Sequence, residues 1–221
     1  GIAQMLDRLF FGSESTLKSE FQNLYASLFK NHDLHVAVVK ALAKKSKGLT
    51  RNEIINATKL PSGGGLTTVL DELEECGFII KTSDFDKKKE DGLYRLMDEY
   101  TLFYFQFLQQ RTEIKSGAFL INSQTFKSWS GFAFENLCFR HHKKIAQLLG
   151  ISGIQYQIYS FLDKGTIESQ GAQIDLIIDR ADNVVNIIEA KFYNTPITVN
   201  KPMGIEIANK ITGDSRIADI T

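Results

Sequence analysis

Two runs of aliphatic and β-branched residues, Gln173-Ile174-Asp175-Leu176-Ile177-Ile178-Asp179-Arg180 and Val184-Val185-Asn186-Ile187-Ile188-Glu189-Ala190-Lys191-Phe192, are separated only by Ala181-Asp182-Asn183. Runs of this kind are strands, and a turn this short can join them only as an antiparallel hairpin, because a parallel pair needs a crossover of a dozen residues or more. The apolar residues Ile174, Leu176, Ile178, Ile187 and Ile188 mark a mostly buried sheet. A loop of two or three residues sets Asp175 opposite Glu189 or its neighbour Ala190. Lys191 lies two positions beyond Glu189, so strand alternation points both out of one face. Two acids and an amine are thereby drawn together inside an apolar sheet. Ionised groups in such surroundings are paired, hydrogen-bonded or bound to a metal.

The rest of the chain supplies the context for that hairpin. A long helix from about Gln124 to Leu149 and a strand over Ile154 to Phe161 precede it, and a helix from about Lys201 to Ile211 follows. In the first half, apolar residues between Asp7 and Lys30 recur at three and four around a Gly12-Ser13 break. A helix from about Asp33 to Ser46 buries Val36, Val39, Leu42 and Ala43, and the cluster Lys44, Lys45, Lys47 suits its C-terminus. Thr50 and Glu53 form a capping box for a short helix carrying Ile54, Ile55 and Ala57. After Pro61 and Gly63-Gly64-Gly65, a helix from about Leu66 to Glu75 packs Leu66, Val69, Leu70 and Leu73, and Gly77 ends it. Phe78-Ile79-Ile80 and Leu93-Tyr94-Arg95-Leu96 then read as two strands joined by the charged stretch Lys81 to Asp91. Three helices followed by a polar-tipped hairpin is the order of a winged helix. Asp98 is an N-cap for the aromatic segment Glu99 to Arg111, read as a helix wedged between two domains, and Thr112 to Asn122 reads as a linker.

The chain is thus α+β, with a winged helix-turn-helix domain at residues 1–113 and an α/β domain with a mixed sheet at residues 114–221. With 43% hydrophobic and 24% charged residues among 221, either part can bury a core without disulfide or metal staples. Twenty-six basic side chains balance twenty-six acidic ones, so any polyanion-binding surface must come from local placement. Cys76 and Cys138 sit in apolar helical patterns without paired-thiol or zinc spacing, which suits core positions in a reducing cytoplasm. No run approaches the roughly 20 apolar residues of a membrane span, and no signal segment opens the chain. The opening Gly1-Ile2-Ala3-Gln4 lacks methionine and reads as part of a longer protein.

Local charge gives the first domain a particular character. The helix that a winged helix would lay in a DNA groove carries Thr67 and Thr68, then Asp71, Glu72, Glu74 and Glu75, and those carboxylates repel a duplex at close range. Protein contact is the better expectation for that helix. The tip, Lys87-Lys88-Lys89 among Asp84, Asp86, Glu90 and Asp91, is a solvated mixed-charge loop that can still touch backbone phosphates. His141-His142-Lys143-Lys144 reads as a solvated helix face, with a phosphate-facing patch as the competing reading.

Two hard carboxylates suit Mg²⁺ or Mn²⁺, which keep several waters and complete their shell with substrate phosphate. An adjacent lysine can stabilise charge developing on phosphorus or position the attacking water. Asp175, Glu189 and Lys191 together describe a metal-dependent phosphodiester hydrolase. Here the chain resembles the PD-(D/E)xK nuclease superfamily. The resemblance implies a restriction-endonuclease-like fold, with Asp175 and Glu189 as metal ligands, Lys191 as the catalytic lysine and Glu135 as a further ligand from the preceding helix. Gln173 becomes an accessory polar residue of the site. The competing reading of Asp175, Glu189 and Lys191 is a cross-strand salt bridge in an inactive fold, and Glu135 could instead cap a loop or pair with Lys191.

Further stretches, Arg8-Leu9-Phe10-Phe11, Gly48-Leu49-Thr50-Arg51-Asn52-Glu53-Ile54, Leu73-Glu74-Glu75-Cys76-Gly77-Phe78-Ile79 and Trp129-Ser130-Gly131-Phe132-Ala133-Phe134-Glu135, are similar to the C-terminal half of a family of prokaryotic AAA+ P-loop ATPases. The resemblance runs from about Leu6 to Val199 and weakens over Gly204 to Thr221. It implies an ATPase domain as partner, DNA as a further partner, and ATP bound only outside these residues, which contain no G-x-x-x-x-G-K-[ST]. The alternative to a nuclease is a non-catalytic DNA- or protein-interaction module that regulates or targets such an ATPase. Homo-oligomeric assembly is compatible with either.

Overall fold

The computed structural model describes residues 1–13, 15–17, 19–82, 92–109, 114–162, 173–193, 195–198 and 200–212. They form an α+β chain with two three-stranded sheets and divide into two compact units. The first unit comprises Gly1–Lys81 and Gly92–Phe132, and the second holds the chain from Ala133 onward.

In the first unit, α1 (Ile2–Leu6) continues through a π-helical turn at Asp7–Phe11 and stops at Gly12. Helices α2 (Glu20–Leu28), α3 (His32–Leu42), α4 (Arg51–Thr58) and α5 (Gly64–Glu75) follow, with the two-residue strand β1 (Leu49–Thr50) before α4. Local chemistry sets their ends. The Thr50 hydroxyl accepts from the Glu53 amide while the Glu53 carboxylate accepts from the Thr50 amide at 2.8 Å, the reciprocal box expected from the sequence. Helix α5 ends where Gly77 takes a left-handed φ of 74°. The Phe78 amide then donates to the Leu73 carbonyl and the Gly77 amide to the Glu74 carbonyl, which satisfies two orphan carbonyls.

Strands β2 (Ile79–Thr82) and β3 (Leu93–Leu96) complete a sheet of order β1-β3-β2, with Leu49 opposite Tyr94. Gly48, at φ 93°, lets this edge close: a Cβ there would stand 2.7 Å from the Tyr94 carbonyl oxygen. Phe21, Tyr25, Leu42, Ile54, Leu70 and Leu73 form the centre of the core. Each such side chain contributes about 1.5–3 kcal/mol by leaving water. The buried Tyr25 hydroxyl meets Thr101 Oγ1 at 2.9 Å.

Several expectations for this region are corrected. Helix α3 ends at Leu42, short of Ser46, because its carbonyls pass into tighter turns at Lys44 and Lys45. Cys76 is exposed, since it is the C-cap of α5 rather than part of its apolar stripe, and Cys138 is half-buried. Ala57 is likewise exposed. The charged tip at residues 83–91, with Lys87-Lys88-Lys89, lies outside the described residues.

Asp98 caps α6 (Glu99–Phe103) by accepting from the Thr101 amide at 2.7 Å, and a π-helical segment continues over Tyr104–Leu108. The described part of the aromatic stripe packs within the first unit. Phe103 and Phe107 join Leu6, Phe10, Ile114 and Leu120 in a second cluster of the first unit, while Tyr104 stacks on Phe21 at 3.9 Å. The expected linker is partly helical as well: α7 (Gly117–Asn122), capped by Ser116, packs on α1. Residues 114–132 therefore belong with the first unit, and the division falls inside α8 (Gln124–Arg140) rather than at 113. Helix α9 (His142–Leu148) is separate, because His141 leaves helical geometry at φ −97° and ψ 25° and breaks the single helix expected to reach Leu149.

In the second unit, β4 (Tyr156–Leu162), β5 (Gln173–Arg180) and β6 (Val185–Ile188) form a sheet in that order, followed by α10 (Lys201–Thr212). Both pairings are antiparallel, so among the described residues the sheet is not mixed. A parallel neighbour would need a crossover returning to the sheet, and α10 leads to no further described strand. The hairpin closes on Ala181-Asp182-Asn183, with Asn183 left-handed at φ 63° and the Arg180 amide bonded to the Val184 carbonyl.

Gly117 shows how closely α7 approaches α1. A Cβ there would stand 2.2 Å from the Ala3 carbonyl oxygen and 2.9 Å from the Leu6 Cβ, and the Gly117 amide donates to Asp7 Oδ1 at 2.6 Å. Because the obstacle is backbone, Gly117→Ala is expected to destabilise the chain by about 2–3 kcal/mol in urea denaturation.

Candidate functional site

Strand β5 positions the first acid. Ile174, Leu176, Ile177 and Ile178 are at most 1% exposed, and Asp175 sits among them at 9%. Its carboxylate is satisfied by donors from either side. The Ala190 amide donates to Oδ2 at 2.9 Å, and the Gln173 side-chain amide donates to Oδ1 at 3.1 Å. Gln173 thus stands beside Asp175, as the spacing of two on one strand face requires.

The register resolves the choice left by the loop length. Leu176 pairs with Ile188 and Ile177 with Ile187, so one more step sets Asp175 opposite Glu189. Strand β6 ends at Ile188, however, and Glu189 and Lys191 lie just beyond it. The bond from Ala190 to Asp175 carries this stretch on beside β5 after the regular ladder stops. Glu189 and Lys191 share a side: Lys191 Nζ meets Glu189 Oε1 at 2.6 Å, with the Glu189 side chain 9% exposed and that of Lys191 49%.

Helix α8 brings the remaining predicted residue. Phe134 packs against Phe192 with ring centroids 5.9 Å apart, which ties this helix to the segment that follows Lys191. Glu135 is half-buried on the next position. Cys138, one helical turn further, has its thiol pKa pushed up first by burial and then by the carboxylates of Asp175 and Glu135. The thiol thus registers both acids.

The donor set bears directly on the expected cation. Among the described residues, no three His, Cys, Asp or Glu side chains stand together as a metal-binding group, so Glu135, Asp175 and Glu189 do not form a closed three-ligand set. Asp175 and Glu189 still offer hard oxygen donors, and Asp175 uses two of the roughly four acceptor positions of a carboxylate. That chemistry fits an ion held by one or two carboxylates, which takes the rest of its shell from water and phosphate.

A polar cleft that sequence reasoning did not assemble lies at the other end of β5. It encloses about 790 Å³ and is lined by His142, Lys143, Gln147, Tyr156, Asp179 and Arg180 among others. His142 Nδ1 lies 3.1 Å from the Tyr156 hydroxyl, and burial, then Lys143, pull its pKa down, so it is neutral near pH 7. Arg180 donates to Asn186 Oδ1 at 3.4 Å and pairs with Asp182. The His141-His142-Lys143-Lys144 run was the available signal. Its phase relative to β4 was not, because that depends on the break at His141.

In comparison with known proteins, no family model, no curated protein and no solved structure matches this chain. Its described residues contain no helix long and apolar enough to cross a membrane.

The proximity of Cys138 to Asp175 can be checked directly. With exposed Cys76 as internal reference, iodoacetamide followed by mass spectrometry is expected to alkylate Cys138 more slowly at pH 8. Asp175→Asn removes a charge that disfavours the thiolate and should speed that alkylation about two- to fivefold.

Proposed function

We propose that the second unit is a restriction-endonuclease-like, PD-(D/E)xK-type phosphodiester hydrolase module that acts on DNA, and that the first unit is a winged helix accompanying it in a protein with an AAA+ ATPase domain. The observation carrying the hydrolase reading is the Asp175 carboxylate, buried in β5, opposite Glu189 by register and bonded to the backbone between Glu189 and Lys191. The order α3, α4, α5, β2, β3, with β1 added at the sheet edge, supports the winged-helix reading. Free Cys76 and Cys138 suit a cytoplasmic setting.

Asp175 and Glu189 would hold a Mg²⁺ or Mn²⁺ ion, with Glu135 on α8 the further ligand that the resemblance implies. When bound, that ion supplies Lewis-acid polarisation of a phosphoryl oxygen and a more acidic water. The chain's own groups do the rest. The bonds to Gln173 and Ala190 fix the orientation of the Asp175 carboxylate, and the apolar residues around it exclude bulk water. Lys191, half-exposed, can reach a substrate phosphate and offset charge growing on its oxygens.

A second reading is favoured by the Glu189–Lys191 contact, which ties the amine to its neighbouring acid. In that reading the pair is structural and the unit is a non-catalytic interaction module that regulates or targets the ATPase.

Incubation of the whole chain with plasmid and single-stranded DNA in Mg²⁺ or Mn²⁺ separates the two. Cleavage is expected, with a loss of about 10²-fold or more in Lys191→Ala and in Asp175→Asn. Equal residual cleavage in both variants and the parent, or none in any of them, leaves the interaction module as the function.

A further inference from the structure

Helix α5 carries Asp71, Glu72, Glu74 and Glu75, and two of these are bonded: Glu72 Oε2 meets His35 Nε2 at 2.7 Å, and Glu74 Oε1 accepts from the Lys81 amide at 3.0 Å. The bases collect elsewhere. Helices α3 and α4 pack together, and at the C-terminal end of α3 they enclose a cleft of about 340 Å³. Lys40, Lys44 and Lys45 line it over the small residues Ala37, Ala41 and Ala57. All three lysines are exposed, and so are Lys47 and Lys59, the latter following Thr58 at the C-cap of α4.

No acid lines this cleft. The nearest candidates on the same helices are engaged elsewhere: Glu53 closes the capping box at Thr50, and Asp33 lies beside His32 at the opposite end of α3. Among the described residues none of Lys40, Lys44 and Lys45 forms an ion pair. The dipole of α3 favours a cation in its last turn, which accounts for Lys40. The same end suits Lys44 and Lys45, which follow the last turn, and the cleft gathers all three lysines with no carboxylate lining it.

We infer that this lysine-lined cleft between α3 and α4 is a phosphate-backbone binding surface for duplex DNA. Lysines are point charges without the planar fork that reads base edges, and their flexible stems suit phosphates at varied positions. Small alanines beneath them let a backbone approach closely. The contact is therefore independent of sequence and driven by counterion release. This inference does not rest on hydrolysis at Asp175, since it concerns binding by the first unit.

The test is fluorescence anisotropy of the whole chain with a labelled duplex of about 25 base pairs in EDTA at about 50 mM salt. EDTA keeps any hydrolysis out of the measurement. The triple variant Lys40→Glu/Lys44→Glu/Lys45→Glu should weaken binding about tenfold or more, and the slope of log affinity against log salt should shrink by about 2 to 3. A control with the same charge change at exposed positions outside the cleft, Lys30→Glu/Lys115→Glu/Lys127→Glu, should weaken it less than about threefold. Circular dichroism checks that each variant folds, and Lys40→Gln/Lys44→Gln/Lys45→Gln should give an intermediate loss. Equal losses in the cleft and control variants, no duplex binding by the parent, or equally tight binding of poly-glutamate would each overturn the assignment.

Discussion

A carboxylate on a strand whose neighbours are almost fully buried must find hydrogen-bond donors or lose its charge. Asp175 finds two, the Gln173 side chain and the Ala190 amide. The second does more than satisfy the acid. Strand β6 has no regular ladder past Ile188, so the Asp175 side chain takes over from the backbone in holding the chain beside β5. A charge-assisted bond of this kind contributes about 1.5–3 kcal/mol, enough to order a short segment. Glu189 and Lys191 flank the anchored residue, and their positions follow from it.

The same principle, that polar groups need partners, shapes the first unit with opposite sign. Glu53 and Asp98 serve as caps, and Glu72 meets Nε2 of His35, whose ring stacks on Phe29 at 3.9 Å. Its lysines at the α3–α4 cleft receive no such partner within the unit. Three lysines on one cleft without a lining carboxylate concentrate positive charge locally on a chain of zero formal net charge.

Much of the local structure was legible because it rests on neighbours in sequence. The Thr50–Glu53 box, the Asp98 cap, the stop at Gly77 and the three-residue turn at Ala181–Asn183 all close within a few residues. The hairpin register was legible to within one position, which left Glu189 and Ala190 both open as the partner of Asp175, and alternation gave the shared side of Glu189 and Lys191. What escaped depends on distant contacts. Strand β1 is two residues long and exists because β3 pairs with it. Helix α7 was read as part of a linker, whereas the small Gly117 lets it lie against Ala3 and Leu6. The aromatic stripe at Tyr100–Phe107 serves two clusters at once, which periodicity alone does not separate.

The order of residues by itself determined most of the helices and strands, the stops set by caps and turns, and which acids and amine stand near one another on the second sheet. Those outcomes follow from caps, turns and alternation, which act over distances the chain itself sets. Tertiary structure decided where β6 ends, how Cys138 on α8 comes to feel the charges of Asp175 and Glu135, and that three lysines share one cleft with no acid lining it. Each of these depends on packing between segments far apart in the chain, and no local pattern encodes the distance between them.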